Sequence, residues 1–273
     1  MSDKKPTPTD VPARPAATAL ILRDGADGIE VFMVVRHHEI DFASGALVFP
    51  GGKVDAADAD PAWDGLVAAA PLGGLDRSFA VAALRETFEE AGILIARRRG
   101  SNALVDAGGA HRIVLADRAA RESARFIDLI RDADLTLATD LLVRFAHWIT
   151  PVGLPKRFDT HFFLVTAPVE QAGAHDGSES TEGFWIRPAD ALRDAKEGRR
   201  SIVPATRLNL QKLAGSATVA DAVAAARASA IVTVMPKVRR NPDGSRTLQI
   251  PAEAGYGVSE LFIPAGELTA AGR

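Results

Sequence analysis

The chain of 273 residues contains no cysteine. This absence excludes disulfide frameworks, thiolate metal sites and cysteine nucleophiles together. Disulfides belong to oxidising compartments, so a chain without them fits the reducing cytoplasm best. We therefore expect a cytoplasmic protein whose chemistry depends on other side chains.

Long apolar runs are also missing. No stretch approaches the roughly 18 apolar residues that a membrane helix needs, so we expect no membrane partner. The first dozen residues, MSDKKPTPTDVP, are polar and contain prolines, and no apolar segment typical of a secretion signal follows them. This composition predicts a disordered N-terminal tail over residues 1–13.

The chain has no large excess of charge of one sign. Its 32 basic and 35 acidic residues give a formal net charge of −3, which offers no general attraction to a nucleic acid. A small anionic ligand is still compatible with these totals, because cations can cluster locally in a chain of nearly balanced charge.

Residues 14–273 are interpreted as one α/β domain without internal repeats. Apolar, partly β-branched runs predict strands over 16–23, 29–36, ALVFPGG, RFAHWITP, THFFLVTAP and EGFWI. Helical spacing of apolar residues predicts a helix from about Phe79, capped by Ser78 and ended by Gly92, one over 117–131, one that begins at Pro188, and two after Pro204. We expect insertions at about 55–77, with one helical turn near Trp63, and at about 97–140, and a less regular tail.

The segment AVAALRETFEEAGILIA, residues 80–96, combines an apolar stripe with three close carboxylates. Residues three and four positions apart share one face of a helix, so Glu86, Glu89 and Glu90 project from the same side. Like charges at this spacing repel one another, and a divalent cation such as Mg²⁺ or Mn²⁺ would neutralise that repulsion. The alternative interpretation is a solvated acidic face.

RETFEEAGI, with FPGG upstream, resembles the Nudix box of the Nudix hydrolase family. The full motif has a glycine, five residues, a glutamate, seven residues and then the arginine–glutamate pair. Counted back without gaps from Arg85, the glutamate position holds Arg77 and the glycine position holds Pro71. The motif glycine is therefore assigned to Gly52, 33 positions before Arg85 instead of 14, which implies an insertion of 19 residues inside the box. The first motif glutamate is then lost or replaced, with Asp76 as the candidate.

An interrupted box is similar to the branch of the family that includes the coenzyme A and acyl-coenzyme A diphosphatases. Further blocks extend the resemblance from about Ala16 to about Pro251, including FASGALVFPGGKVDAAD, WITPVGLPKRFDTHFFL and IVPATRLNLQKLAG. Where relatives carry an arginine before GALVFPGG this chain has Asp41, and Arg36 is the nearer basic candidate for binding the substrate. The resemblance implies a Nudix-type α/β/α sandwich with a mixed central sheet and a helical C-terminal extension.

The same resemblance implies roles for the box residues. Glu89 and Glu90 bind the essential divalent cation, Mg²⁺ or Mn²⁺, with the Gly52 carbonyl as a further ligand. Glu86 binds a second cation or acts as the base towards the attacking water, held by Arg85. A guanidinium beside this carboxylate would keep it ionised and oriented. The alternative for Arg85 is a salt bridge on the helix surface.

Many family members also use a carboxylate from a loop far from the box. HDGSESTEGFWI offers Glu179 and Glu182 just before a predicted strand, with Glu182 at the better distance from Trp185, and a solvated glutamate is the alternative. Arg157 is a candidate to bind a substrate phosphate with both guanidinium nitrogens, or else it pins its loop to Asp159. Four histidines lack ligand spacing and are interpreted as core or surface residues: His37, His38, His147 and His161.

The resemblance implies cleavage of the diphosphate bond in a nucleoside diphosphate linked to another moiety, with coenzyme A or an acyl-coenzyme A favoured. ADP-ribose, a nucleotide sugar or a dinucleotide is the alternative substrate for the same chemistry. A nucleotide-binding module without turnover is a third hypothesis, which the intact arginine and glutamates of the box disfavour. Members of the family often dimerise, so a homodimer is one expectation.

Overall fold

The fold begins with an antiparallel hairpin of two strands, β1 (Arg14–Gly25) and β2 (Gly28–Arg36). The computed structural model describes residues 11–36, 45–120, 125–169, 171 and 180–266. Most residues of both strands are buried, because these strands lie inside a sheet that is covered on both faces. Both strands match the sequence prediction.

The strands that follow form one large sheet and two small ones. They are β3 (Leu47–Val48), β4 (Gly51–Lys53), β5 (Ala96–Arg98), β6 (Leu135–Leu137), β7 (Val143–Ile149), β8 (Phe158–Thr166), β9 (Ser180–Ile186), β10 (Thr233–Val234), β11 (Lys237–Arg240), β12 (Arg246–Gln249) and β13 (Glu260–Ile263). The large sheet has the order β10–β7–β8–β1–β2–β3, with β4 paired to β1 and β9 paired to β2. Because β1–β8 and β7–β10 are parallel and the other pairs are antiparallel, the sheet is mixed.

Helices cover both faces of this sheet. They are α1 (Arg77–Ala91), α2 (Ala107–Ala120), α3 (Phe126–Asp132), α4 (Pro188–Lys196), α5 (Pro204–Leu213) and α6 (Val219–Ala228). One apolar core contains side chains of α1 and α3, and the other contains side chains of α4, α5 and α6. The expected α/β/α sandwich is therefore confirmed. No helix among the described residues is long and apolar enough to cross a membrane.

The ends of α1 follow from its flanking residues. Asp76 caps the helix, because its side chain accepts a hydrogen bond from the Ser78 backbone N–H at 2.8 Å. Gly92 ends it in the left-handed conformation, with φ of 63°. The end at Gly92 was predicted correctly, whereas the assignment of Ser78 as the cap is wrong.

The inserted segment between β4 and α1 contains two short 3₁₀ helices, Ala56–Ala59 and Pro61–Trp63. Trp63 is buried, donates from its ring Nε1 to the Ala57 carbonyl at 2.9 Å, and packs against Phe126 of α3. The helical turn expected near Trp63 is present, and it fixes this segment against the core.

Two sequence predictions need correction. The single helix expected over 117–131 is replaced by α2 and α3, with residues 121–124 outside the described part of the chain. The C-terminal extension is not only helical, because β11, β12 and β13 form a three-stranded antiparallel sheet after α6. NPDGS, between β11 and β12, is a turn sequence that could have revealed this hairpin.

Tyr256 anchors the C-terminal segment to the large sheet. Its hydroxyl accepts a hydrogen bond from Trp148 Nε1 at 2.8 Å and donates one to Asn209 Oδ1 at 2.7 Å. Burial raises the pKa of Tyr256 to about 12, so the hydroxyl keeps its proton for this second bond. The C-terminal sheet is thereby held beside β7 and α5.

Candidate active site

Helix α1 lies against the glycine pair that begins β4. The backbone N–H of Gly51 donates to Glu90 Oε2 at 2.9 Å. A methyl group added at Gly52 would lie 2.5 Å from the carboxyl carbon of Glu86, so only glycine fits without moving that side chain. The loop and the carboxylate face of the helix therefore form one continuous wall.

Arg85 links this wall to the inserted segment. The side chains of Arg85 and Asp58 are both buried, and Nε and Nη2 of Arg85 donate to the two carboxylate oxygens of Asp58 at 2.8 and 3.0 Å. Nη1 donates to Glu86 Oε1 at 2.8 Å and to Glu89 Oε2 at 2.7 Å. Nη2 also donates to the Lys53 carbonyl at 3.0 Å. One guanidinium thus orients two carboxylates of α1 and closes the base of the loop.

The contacts of Arg85 with Asp58, Glu86 and Glu89 keep its guanidinium protonated. Burial, the largest single influence, lowers the pKa of Arg85, but the hydrogen bond with Asp58 and the charges of Glu86 and Glu89 outweigh it and raise the pKa above its ordinary value. Arg85 is therefore a permanent cation that holds carboxylates and does not exchange protons. The interpretation of Arg85 as a mere surface salt bridge is wrong, since the side chain is buried.

A large cavity of about 1400 Å³ opens in front of this wall. Glu86, Glu89 and Glu90 line it together with Gly51 and Gly52. Apolar residues of β7, β8 and the C-terminal sheet line other parts, including Trp148, Phe162 and Leu248. The cavity can therefore hold a ligand much larger than a diphosphate group.

Basic side chains outnumber acidic ones among the described lining residues of the cavity. Four lining residues are acidic, Asp55, Glu86, Glu89 and Glu90, whereas nine are basic: Arg14, Arg36, Lys53, Arg85, Arg125, Lys156, Arg157, Arg240 and Arg246. A chain with a net charge of −3 has thus concentrated positive charge in this cavity. This distribution suits a ligand with several negative charges.

Comparison with known proteins identifies the family. A family model described as the NUDT19 Nudix domain matches residues 74–213, just over half of the chain. The chain belongs to the Nudix hydrolase family. Nudix hydrolases generally use divalent cations, and the carboxylate wall on α1 is the Nudix helix with its box glutamates.

The similarity to individual Nudix relatives covers more of this chain than residues 74–213. Nudix hydrolase 7 of Caenorhabditis elegans is 29% identical over 67% of this chain and 55% of its own length. The human acyl-coenzyme A diphosphatase NUDT19 is 28% identical over 72% of this chain and 63% of its own length. The chain therefore spans less than two thirds of either relative. A crystal structure of a Nudix hydrolase from Alicyclobacillus acidocaldarius, 28% identical, superposes with a TM-score of 0.66 over 79% of this chain and 97% of that one.

Asp58 occupies the place of the first glutamate of the Nudix box. It stands six positions after Gly52, as the motif requires, and it holds Arg85 through two hydrogen bonds. The assignment of this place to Asp76 is wrong, because Asp76 caps α1. The insertion lies between Asp58 and Arg85, so the motif spacing holds forward from Gly52 and not backward from Arg85.

The donor set of the wall fits a divalent cation. Glu86 and Glu90 are nearly buried, at 8% and 6% exposed, while the Glu89 side chain is 44% exposed. Carboxylate oxygens that converge beside backbone groups are the ligands that Mg²⁺ and Mn²⁺ prefer. The wall therefore offers suitable ligands at the edge of the cavity.

Two arginines proposed from the sequence to bind substrate both line the cavity. The Nε atom of Arg36 is buried and has no hydrogen-bond partner among the described residues, which fits a group that awaits an anion. Arg157 already donates to the carbonyls of Thr150, Pro151 and Val11 at 2.8 to 3.1 Å. Arg157 therefore pins its loop through backbone carbonyls, and the interpretation that it does so through Asp159 is wrong.

Glu182 does not line the cavity. It lies within β9 instead of before a strand, its side chain is 51% exposed, and it accepts a hydrogen bond from Arg200 Nη1 at 3.0 Å. These contacts give no support to a catalytic role for Glu182. The other candidate, Glu179, lies outside the described residues, as do His37 and His38.

The C-terminal sheet supplies cavity residues that sequence reasoning missed. Arg240 on β11 and Arg246 on β12 are directly opposite each other, and both line the cavity. Residues at such directly opposite positions have neighbouring side chains on one face of the sheet, so both guanidinium groups can contact the same anion.

Asp58 is the main partner of the buried Arg85. Asp58→Ala is expected to destabilise the protein by about 3 to 5 kcal/mol, because it leaves the buried Arg85 without its main partner. Urea denaturation measures this loss. Asp64→Ala, which removes an exposed ion pair with Arg77, should change stability by about 1 kcal/mol or less. Asp58→Glu, which keeps a carboxylate for Arg85, should lose less stability than Asp58→Ala. Equal losses in Asp58→Ala and Asp64→Ala would contradict the buried-pair interpretation.

Proposed function

We propose that this protein is a divalent-metal-dependent pyrophosphohydrolase that cleaves a nucleoside diphosphate linked to another moiety, with coenzyme A or an acyl-coenzyme A as the favoured substrate. The observation that carries the proposal is the cavity in which the Nudix glutamates and nine basic side chains meet. A diphosphate ester brings negative charge to both features. The cavity has room for the groups attached on either side of the diphosphate.

Glu89 and Glu90 would hold the cation, Mg²⁺ or Mn²⁺, with the Gly52 carbonyl as a further ligand. A cation bound there supplies charge neutralisation on the diphosphate and acidifies water. The hydrogen bond from Gly51 N–H keeps the Glu90 carboxylate fixed relative to the loop. These side chains are thus oriented before any ligand arrives, which reduces the reorganisation needed during the reaction.

Glu86 is the base in this proposal. Arg85 Nη1 donates to Glu86 Oε1 at 2.8 Å and so orients the carboxylate that would accept the proton. Hydrolysis forms a bond from the water oxygen to one phosphorus and breaks the bond from that phosphorus to the bridging oxygen. The bridging oxygen leaves with the other phosphate, Glu86 accepts a proton from water, and two phosphomonoesters result.

Coenzyme A is favoured over the other candidates by the basic residues far from the box. The related proteins from human and Xenopus laevis carry the name acyl-coenzyme A diphosphatase. Coenzyme A also has a phosphate on its ribose that is separate from the diphosphate, whereas ADP-ribose and nucleotide sugars lack it. The Arg240–Arg246 pair is suited to bind such an additional phosphate.

Substitution of Arg240 tests the role of this arginine pair. Arg240→Gln is expected to raise KM for coenzyme A by about 10-fold, the effect of losing one charge-assisted hydrogen bond of about 1.4 kcal/mol. KM for dephospho-coenzyme A, which lacks the ribose phosphate, should change by less than about 2-fold. Arg239→Gln is the matched control, since Arg239 lies on the same strand but does not line the cavity. Equal KM increases for both substrates would refute this placement of the phosphate.

Product analysis by mass spectrometry tests the proposed function itself. The protein is incubated with Mg²⁺ or Mn²⁺ and, separately, coenzyme A, acetyl-coenzyme A, ADP-ribose, NADH and a nucleotide sugar, in ¹⁸O-labelled water. Release of phosphopantetheine and adenosine 3',5'-bisphosphate, one of them labelled, supports the proposal. Cleavage of another substrate alone would keep the chemistry and overturn the coenzyme A assignment. No cleavage of any compound would favour a nucleotide-binding module without turnover.

The remaining expectations from the sequence stay predictions. A cytoplasmic location and a homodimer are consistent with the proposal but do not support it. A small-molecule nucleotide is the partner on which the proposal depends.

A further inference from the structure

A second cluster of ligating side chains lies on the β7–β8 pair. His147 on β7 is directly opposite His161 on β8, and Asp159 is two residues before His161, so the three side chains share one face of the sheet. One nitrogen or oxygen atom from each residue lies within 4.8 Å of the others. None of the three lines the catalytic cavity. The cluster is therefore a separate feature of the fold.

The geometry of the sheet brings these residues together. His147 and His161 are 14 positions apart, and only the pairing of the antiparallel strands makes them neighbours. This explains why the sequence, which lacks histidines at ligand spacing, led to their interpretation as core or surface residues. Both strands lie inside the large sheet, with β10 and β1 on their outer sides, so the scaffold is rigid.

His161 has an unsatisfied polar atom. The residue is 7% exposed, and its buried Nδ1 has no hydrogen-bond partner among the described residues. Its ring stacks on the His147 ring with centroids 3.9 Å apart, and Phe79 of α1 packs edge-on against it at 4.8 Å. A buried imidazole nitrogen without a partner is costly and needs a structural or functional reason.

The ring of His147 is oriented by a hydrogen bond between its Nδ1 and Thr233. Its Nδ1 is 2.8 Å from the Thr233 hydroxyl, while its Nε2 is 2.5 Å from Asp159 Oδ1. Histidines that ligate metals are commonly held in this way, with one ring nitrogen fixed by an outer partner and the other directed at the metal. The Nε2 atom of His147 and the carboxylate of Asp159 therefore meet directly, and an ion would bind by taking the place of this hydrogen bond.

We propose that His147, Asp159 and His161 form a binding site for a divalent transition-metal cation, with Zn²⁺ as the best match. Two imidazoles and one carboxylate are a common zinc donor set, whereas Mg²⁺ prefers oxygen ligands alone. Zinc bonds of about 2.0 to 2.1 Å place tetrahedral ligand atoms about 3.4 Å apart. The two imidazole rings are stacked nearly parallel, with an interplanar angle of 12°, so they must tilt to direct a nitrogen each at one ion. Asp159, whose side chain is 35% exposed, can rotate to make that room, and water can fill the fourth position.

The bound ion would act as a structural clip. It would tie β7 to β8 directly beneath Phe79, which belongs to the helix that carries the Nudix glutamates. Zn²⁺ binding should therefore raise the melting temperature of the protein. This increase in melting temperature does not depend on hydrolysis. The zinc site can therefore be disproved while the proposed hydrolase function stands, and the hydrolase function can be disproved while the zinc site stands.

The test is calorimetric titration of the metal-free full chain with Zn²⁺ in excess Mg²⁺, which competes for the glutamate site. We expect one Zn²⁺ site that persists in Glu90→Gln and in the control His111→Gln, whose histidine is exposed. His147→Gln and Asp159→Asn should weaken that site by at least about 100-fold, and Thr233→Val by about 10- to 100-fold. Thermal unfolding without metal checks that each variant folds. If His147→Gln and Asp159→Asn do not fold, Thr233→Val still tests the site, because Thr233 is exposed.

A spectroscopic readout identifies the ligands. Co²⁺ added in place of Zn²⁺ should give the intense visible absorption of a four-coordinate site in wild type, and this absorption should be lost in His147→Gln. Two results would overturn the proposal. One is the absence of saturable Zn²⁺ binding in excess Mg²⁺, and the other is binding that is lost in Glu90→Gln but unchanged in His147→Gln and Asp159→Asn.

Discussion

Glu90→Gln is expected to lower kcat for coenzyme A hydrolysis by about 10²- to 10⁴-fold, equivalent to about 3 to 5 kcal/mol of lost transition-state stabilisation. Glutamine has the shape of glutamate and keeps an oxygen that can accept the Gly51 N–H bond. It removes the negative charge that a cation at the wall requires. Because Glu90 is only 6% exposed, a neutral side chain there is also less costly to bury. We therefore expect lost activity with unchanged or increased stability.

Steady-state kinetics and urea denaturation of the same preparations separate these two effects. Glu253→Gln is the control, since Glu253 is exposed and does not line the cavity. The Mg²⁺ concentration needed for half-maximal activity should rise in Glu90→Gln and stay unchanged in Glu253→Gln. A kcat within about 3-fold of wild type for Glu90→Gln would remove Glu90 from the proposed metal site.

The parts of the site that sequence predicted depend on short-range geometry. Glu86, Glu89 and Glu90 share a face because helical neighbours are three and four residues apart, and Gly92 ends the helix for a local reason. These features need no knowledge of the rest of the fold. The family resemblance predicted in addition that Gly52 lies next to the carboxylates of this helix, and the structure places Gly52 beside Glu86.

The parts that sequence did not predict depend on distant contacts. Asp58 reaches Arg85 only because the inserted segment folds back on α1, and its spacing from Gly52 identifies it only when the insertion is known to begin after it. Arg240 and Arg246 reach the cavity through a hairpin outside the matched family domain. Their side chains become part of one site through the register of β11 and β12, which is fixed by tertiary packing.

Gly52→Ala is expected to lower kcat by about 10²-fold, the cost of displacing a reacting group by about 1 Å. The added methyl group would overlap the end of the Glu86 side chain. That side chain is flexible, so it can rotate away without moving the backbone, but it then leaves its position against Arg85 Nη1. The base of the proposed mechanism would be misplaced in a protein that still folds.

The neighbouring glycine gives the contrasting result. At Gly51 an added methyl group would lie 2.6 Å from the Ala17 carbonyl oxygen and 2.7 Å from the Thr18 Cα, both in the backbone of β1. Backbone inside a sheet cannot rotate away, so Gly51→Ala should lower the melting temperature as well as kcat. Gly108→Ala, on the exposed side of α2, should lower neither, since no atom there lies closer than 3.6 Å.

Melting curves and kcat values for these three alanine variants therefore separate two roles of the glycine pair. Equal loss of stability in Gly52→Ala and Gly51→Ala would mean that both glycines serve only the pairing of β4 with β1. Loss of kcat in Gly52→Ala with an unchanged melting temperature would mean that Gly52 is needed to leave space for the Glu86 carboxylate. The interrupted Nudix box would then keep its glycine for the chemistry of α1, although 19 additional residues separate it from that helix.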